Sequence, residues 1–118
     1  MSAPLLPAGR AAFVETLGTE VERATTRGTR LAVAVVRHPE TATSSRLADV
    51  VREIAKAPVY VVGPRSVAVA LPGTGRADAL GILARVEASC GARGSAVELE
   101  PGETATRLAV RVLGSAAP

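Results

Sequence analysis

The side chains that most often carry out catalysis are scarce in this 118-residue chain, which has one histidine and one cysteine. His38 could act as a general base or a pH switch, but no nucleophile stands near it in the sequence. Cys90 falls on an apolar helical stripe, where a buried and unreactive thiol is expected. One cysteine and one histidine make neither a zinc site nor an intrachain disulfide. We therefore expect neither His38 nor Cys90 to be catalytic or to bind a metal.

A glycine-containing turn, Gly73-Thr74-Gly75, stands between a predicted strand and a predicted helix. Such a turn can hold a phosphate against the N-terminus of the helix. No third glycine follows, and no Lys-Ser or Lys-Thr pair follows, so the dinucleotide-binding fingerprint and the P-loop are both unmet. The segment is interpreted as a plain turn.

All but one of the 14 basic residues are arginine, and the net charge is +3. The arginines are spread evenly along the chain, without the clustered stripe that is typical of proteins binding a phosphate backbone. Aromatic residues make up 2% of the chain, which leaves almost no platform for stacking bases. Nucleic acid is therefore not an expected partner.

The length fits one domain. We assign residues 1–10 to a flexible leader, 11–114 to a single domain and 115–118 to a tail. No segment approaches the ~18 apolar residues that a membrane span needs, and the N-terminus lacks the basic start and the long apolar stretch of a secretory signal. These features predict a cytoplasmic protein with no membrane partner.

Hydrophobic spacing predicts alternating helices and strands. Helical stripes run from Phe13 to Gly28, Leu47 to Ile54, Arg76 to Cys90 and Ala105 to Val112. Strands are predicted at Leu31–Val36, Val59–Val62, Val67–Leu71 and around Val97–Leu99, with a tight turn joining the middle two. The first strand is apolar throughout, which predicts a central strand covered on both faces. From that strand onward the order is βαββαβ, a ferredoxin-like α+β sheet, with an extra N-terminal and an extra C-terminal helix.

The order of these fragments resembles the GGDEF domain, the nucleotide-cyclase-like fold of bacterial diguanylate cyclases. The most distinctive part is the hairpin that continues through Leu71-Pro72-Gly73-Thr74 into a helix. The stretches Val51–Ala55, Ala79–Ala88 and Gly102–Ala105 also fit the family. The resemblance implies a nucleotide-cyclase-like sheet and a role in bacterial signalling.

In that family the turn of the hairpin carries Gly-Gly-Asp-Glu-Phe, whose glycines approach the phosphates of GTP and whose acid holds a metal. The degenerate turn at the matching positions consists of Gly63, Pro64, Arg65, Ser66 and Val67. Pro64 removes a backbone donor, and Arg65 and Ser66 stand in place of both carboxylates. A further metal-binding acid is implied at the end of the first strand, where the chain has Arg37. The resemblance therefore implies a pseudo-enzyme, with no catalytic residue, no bound metal and no cofactor.

Many family members also bind their product through an Arg-x-x-Asp motif before the turn. The matching residues here are Ile54-Ala55-Lys56-Ala57, which lack the arginine fork and its acid. Binding of cyclic di-GMP is therefore disfavoured.

Three functions remain open. The first is a catalytically inactive GGDEF-like domain that acts as a protein-interaction or regulatory module. The second is a sensor of a small anion or a nucleotide (cyclic di-GMP or GTP) through Arg37 and Arg65, which the resemblance places at one end of the sheet; two solvated arginines are the simpler interpretation. The third is a ferredoxin-like homodimerisation domain that uses a sheet edge or an outer helix.

Overall fold

The computed structural model describes residues 6–38 and 44–115. In chain order the elements are α1 (Leu6–Arg27), β1 (Leu31–Arg37), α2 (Ser44–Ala55), β2 (Val59–Gly63), β3 (Ser66–Pro72), α3 (Arg76–Cys90), β4 (Arg93–Glu98) and α4 (Ala105–Ser115). This α+β arrangement confirms the predicted βαββαβ order with a helix added at each end. Within the described ranges, no helix combines the length and apolar character needed to cross a bilayer.

The strands form one antiparallel sheet in the order β2-β3-β1-β4. β1 is central, as its composition predicts, and six of its seven residues are buried. Its C-terminal residue, Arg37, pairs with Ser66 at the start of β3 and with Arg93 at the start of β4. One end of the sheet therefore collects the end of β1, the hairpin turn and the start of β4.

Helices cover both faces of the sheet, because successive β1 side chains point to opposite sides. Ala32, Ala34 and Val36 belong to the core that α2 and α3 cover, and Val33 and Val35 belong to the core that α1 and α4 cover. The two helical layers fix the ends of the strands relative to each other.

Helix α1 begins at Leu6, earlier than the helical stripe starting at Phe13 indicates. Residues 6–10, which the sequence assigned to a leader, are therefore helical. Pro7 is tolerated because the first helical turn has no intrahelical partner for its missing N–H. Gly9 allows the helix to touch strand β2, since a Cβ at this position would meet the carbonyl oxygen of Val61. Residues 1–5 of the leader and residues 116–118 of the tail lie outside the described residues.

Strand β4 runs from Arg93 to Glu98, so the predicted strand around Val97–Leu99 was placed too late. Glycine and alanine have low intrinsic preference for strands, so the first half of this strand is not recognisable from the sequence. Tertiary pairing decides the outcome, because β4 lies alongside β1 over its whole length. Gly94 fits closely there, since a Cβ on it would stand 2.5 Å from the carbonyl oxygen of Val35.

Candidate functional site

Arg37 and Arg65, the two residues singled out from the sequence, lie at the same end of the sheet. Arg37 stands opposite Ser66 in the pairing of β1 with β3. The backbone N–H of His38 donates to the carbonyl oxygen of Arg65 at 3.0 Å, which ties the end of β1 to the hairpin turn. Both arginines are exposed. The positions that the resemblance linked to each other are thus neighbours in space.

A third arginine joins them from β4. Arg93 stands directly opposite Arg37 across the β1–β4 pair. Its side chain is 82% exposed and forms an ion pair with Glu87 of α3, at 3.2 Å between Nε and Oε2. We call Arg37, Arg65 and Arg93 the basic end. Arg93 could not be assigned to this end from the sequence, because nothing local in the sequence shows that the start of β4 lies beside the end of β1.

The degenerate turn is short and well packed. Pro64 and Arg65 form the exposed turn itself, while Ser66 and Val67 already belong to β3 and are buried. Val67 is fully buried in the core that α2 and α3 cover. Gly63 does not have a positive φ, so its backbone does not require glycine. Arg65 is therefore the charged side chain that the turn exposes to solvent, while Ser66 and Val67 are buried as part of β3.

His38 and Cys90 come together, although the sequence separates them widely. The Nε2 atom of His38 lies 3.1 Å from the carbonyl oxygen of Cys90, to which it donates when it carries the hydrogen. Cys90 is half-buried, and its thiol donates to the carbonyl oxygen of Val86 at 3.5 Å. These contacts join the end of β1 to the last turn of α3. His38 and Cys90 therefore have a structural role, which is to connect the end of β1 to α3.

Among the described residues, those of metal-ligating types near the basic end include His38, Cys90 and Glu87. In the part of the chain that the structure describes, no three His, Cys, Asp or Glu side chains are placed so as to hold a metal ion. Lys56, in the segment matching the product site of the family, precedes β2 and lies at the other end of that strand from the hairpin turn. It is thus apart from Arg37 and Arg65.

An open groove lies between α3 and β4, next to Arg93. Its volume is about 410 Å³. The residues that line it are Leu80, Leu83, Ala84, Glu87, Arg93 and Gly94. Leu80 is 40% exposed, which gives the groove an apolar wall beside the charged Arg93–Glu87 pair.

A well-buried ion pair lies at the opposite end of the sheet. Arg111 of α4 donates from Nε and Nη2 to the two carboxylate oxygens of Glu103, at 2.7 and 2.8 Å. The Glu103 side chain is 2% exposed and also accepts the backbone N–H of Glu100 at 3.0 Å. The hydrogen bonds from Arg111 hold the pKa of Glu103 below its usual range, and Glu103 in turn raises the pKa of Arg111. This pair fixes α4 against the end of β4.

Comparison with known proteins identifies the fold. No family model and no curated protein sequence matches the chain. Among solved structures, the chain is similar to a DGC protein from Thermotoga maritima, with a TM-score of 0.66 and 18% sequence identity over 92% of this chain and 94% of that one. It is also similar to the GGDEF domain of DgcB from Caulobacter crescentus, solved in complex with c-di-GMP.

The second likeness has a TM-score of 0.70 and 15% sequence identity, and it covers 89% of this chain and 78% of the DgcB domain. At these identities the likeness is one of fold. It confirms the resemblance drawn from the order of the sequence fragments: the chain has a GGDEF-like, nucleotide-cyclase-like fold.

Proposed function

We propose that the chain is a catalytically inactive GGDEF-like domain that acts as a protein-interaction or regulatory module in bacterial signalling. The observation that carries the proposal is the position of Arg37 and Arg65. They lie together where β1 ends and the hairpin turns, at the positions where the resemblance implies metal-binding acids. The fold is retained, while cations occupy the positions at which metal-assisted phosphoryl transfer needs anions.

The electrostatic energy of a metal ion beside an arginine is large and unfavourable. A divalent cation ~4 Å from a guanidinium is repelled by about 2 kcal/mol in bulk water, and by several times more at the lower effective dielectric near a protein surface. A carboxylate at the same distance attracts the ion by a similar amount. Replacing an acid by arginine therefore reverses the sign of the largest interaction that a metal ion would experience. This supports a domain that does not assemble a metal-bound triphosphate.

The activity is tested by incubating the purified chain with GTP and Mg²⁺ and measuring pyrophosphate release. We expect the native chain to release no more pyrophosphate than a protein-free control. Release that saturates with GTP and disappears in Arg65→Ala would contradict the proposal. The matched control is Arg85→Ala, which removes an exposed arginine from α3 outside the basic end.

A second candidate function, sensing of a small phosphate-bearing anion, is favoured by one specific observation. The fold brings Arg93 next to Arg37, so the basic end contains more positive charge than the sequence alone indicates. Glu87 neutralises part of this charge by pairing with Arg93, and a phosphate group bound here would accept further charge-assisted hydrogen bonds from the exposed arginines. The groove beside Arg93 offers space for the remainder of such a ligand.

Calorimetric titration separates the two functions. The chain is titrated with pyrophosphate, with cyclic di-GMP, and with GTP plus Mg²⁺. Saturable heat that Arg37→Ala and Arg65→Ala abolish, and that Arg85→Ala leaves intact, would establish the sensor. Absence of heat with all three ligands would rule out the sensor function and favour the interaction module. Heat that all the variants retain would place the ligand outside the basic end.

A further inference from the structure

The pairing of β4 with β1 determines which backbone N–H and C=O groups of β4 face away from the sheet. β4 is an edge strand, with β1 on one side only. The N–H of Leu99 donates to the carbonyl oxygen of Leu31 at 2.9 Å, which shows that the odd-numbered residues of this stretch bond toward β1. In an antiparallel pair the alternate residues face away. The backbone groups of Gly94, Ala96 and Glu98 therefore point outward.

Such an edge is a template on which another strand can pair. Unprotected edges add strands from other chains, which leads to assembly or to aggregation. The residues Gly94 to Ala96 are small, so side chains at these positions would not keep another strand away. Protection of this edge must come from elsewhere in the fold.

Two arginine side chains bond to two of these three outward-facing carbonyl oxygens, those of Ala96 and Glu98. Arg111 donates from Nη2 to the carbonyl oxygen of Glu98 at 2.7 Å. Arg76, the first residue of α3, donates from Nε to the carbonyl oxygen of Ala96 at 3.4 Å. The two acceptors are alternate residues on the same strand edge. They are two of the acceptors that an added strand would use.

Both arginines are held in place by further contacts. The guanidinium of Arg111 is fixed by the buried carboxylate of Glu103. The backbone N–H of Arg76 donates to Oε1 of Glu98 at 2.8 Å, which anchors the start of α3 beside the end of β4. Displacing the Arg111 side chain from the edge therefore requires the loss of additional hydrogen bonds, and the backbone contact of Arg76 keeps its side chain beside the edge.

We infer that Arg76 and Arg111 close the edge of β4 to strand addition by a second copy of this chain. At the opposite edge, Gly9 seats the first turns of α1 against the backbone of β2. The inference narrows the homodimerisation hypothesis, because a dimer of the native chain would then use helical surfaces instead of a continuous sheet. It does not depend on the proposed function.

The inference is tested by opening the edge and measuring self-association. The main variant is Arg76→Met with Arg111→Met and Glu103→Gln, in which the glutamine avoids leaving a buried carboxylate unpaired. Arg76→Met alone is a milder second variant with the Glu103 pair intact. The control is Arg85→Met with Arg107→Met, which removes two exposed arginines from the same two helices. Circular dichroism establishes that each variant is folded.

Sedimentation equilibrium over a range of concentrations gives the mass, and amide hydrogen exchange gives the surface used. We expect the edge variants to reach about twice the native mass at high concentration, as pairing of two copies requires. The outward amides of Ala96 and Glu98 should then exchange more slowly. A folded edge variant that keeps the native mass would overturn the inference. So would equal association of the control, or association without protection at Ala96 and Glu98.

Discussion

Nε of Arg111 lies 2.7 Å from Oε2 of Glu103, and the Glu103 side chain is 2% exposed. The arginine also reaches Oε1 of the same carboxylate and the carbonyl oxygen of Glu98. Hydrogen bonds to charged groups are stronger than neutral ones, and their loss is most costly when one partner remains buried. This contact is therefore expected to contribute to the stability of the domain.

Replacing Arg111 by methionine should lower the free energy of unfolding by roughly 2–3 kcal/mol, because the buried Glu103 carboxylate loses its charged partner. Urea denaturation of the single variant measures the change. Arg85→Met, on an exposed position of α3, is the control and should change stability by less than about 0.5 kcal/mol. Equal effects of the two substitutions would show that the pair contributes no special stability.

The same pair gives a pH dependence with a defined sign. The pKa of Glu103 in the folded chain is below its ordinary value of 4.5, mainly because of the hydrogen bonds from Arg111. The unfolded chain binds a proton first as the pH falls, so the stabilisation is complete above the ordinary pKa and is lost as the pH falls through the lowered one. Unfolding free energies from about pH 6 to about pH 3 should fall more steeply for the native chain than for Glu103→Gln. Parallel curves would contradict this assignment.

Two glycines of α1 should respond in opposite directions to alanine. At Gly9 a Cβ would collide with the carbonyl oxygen of Val61, which belongs to the backbone and cannot rotate away. At Gly18 nothing lies within 4 Å of the added atom. We expect Gly9→Ala to lower the melting temperature and Gly18→Ala to stabilise the chain by roughly 0.5–1 kcal/mol through helix propensity. Stabilisation by both would show that α1 does not rest on β2 through Gly9.

A hydrogen bond between Thr16 and Tyr60 should show coupling. The two hydroxyl oxygens are 2.8 Å apart and partly buried between α1 and β2, and the Tyr60 ring centroid lies 5.9 Å from that of Phe13. Tyr60→Phe keeps the ring contact and should cost about 1 kcal/mol. Thr16→Val should cost a similar amount, and the double variant should lose less than the sum. Additive losses would indicate that the two hydroxyls do not interact.

Local patterns in the sequence were sufficient for most of the secondary structure. The stripe from Arg76 to Cys90 predicted α3 with its end at Gly91, which adopts the left-handed conformation that ends helices. The apolar run from Leu31 predicted a central strand, because only a strand covered on both faces is apolar at every position. Both features can be recognised from the order of apolar residues along the chain, because that order reflects which side chains are buried in a helix or a strand.

The sequence also determined which functional groups stand at the hairpin turn, because the hairpin pattern places Arg65 and Ser66 there. Only the tertiary structure decided what surrounds them. Arginines that are evenly spaced along the chain meet in the basic end because β1 lies between β3 and β4, and strand pairing joins residues distant in sequence. For the same reason the partnership of Arg111 with Glu103 and with the edge of β4 is a property of the fold, since it requires α4 to pack beside the end of β4.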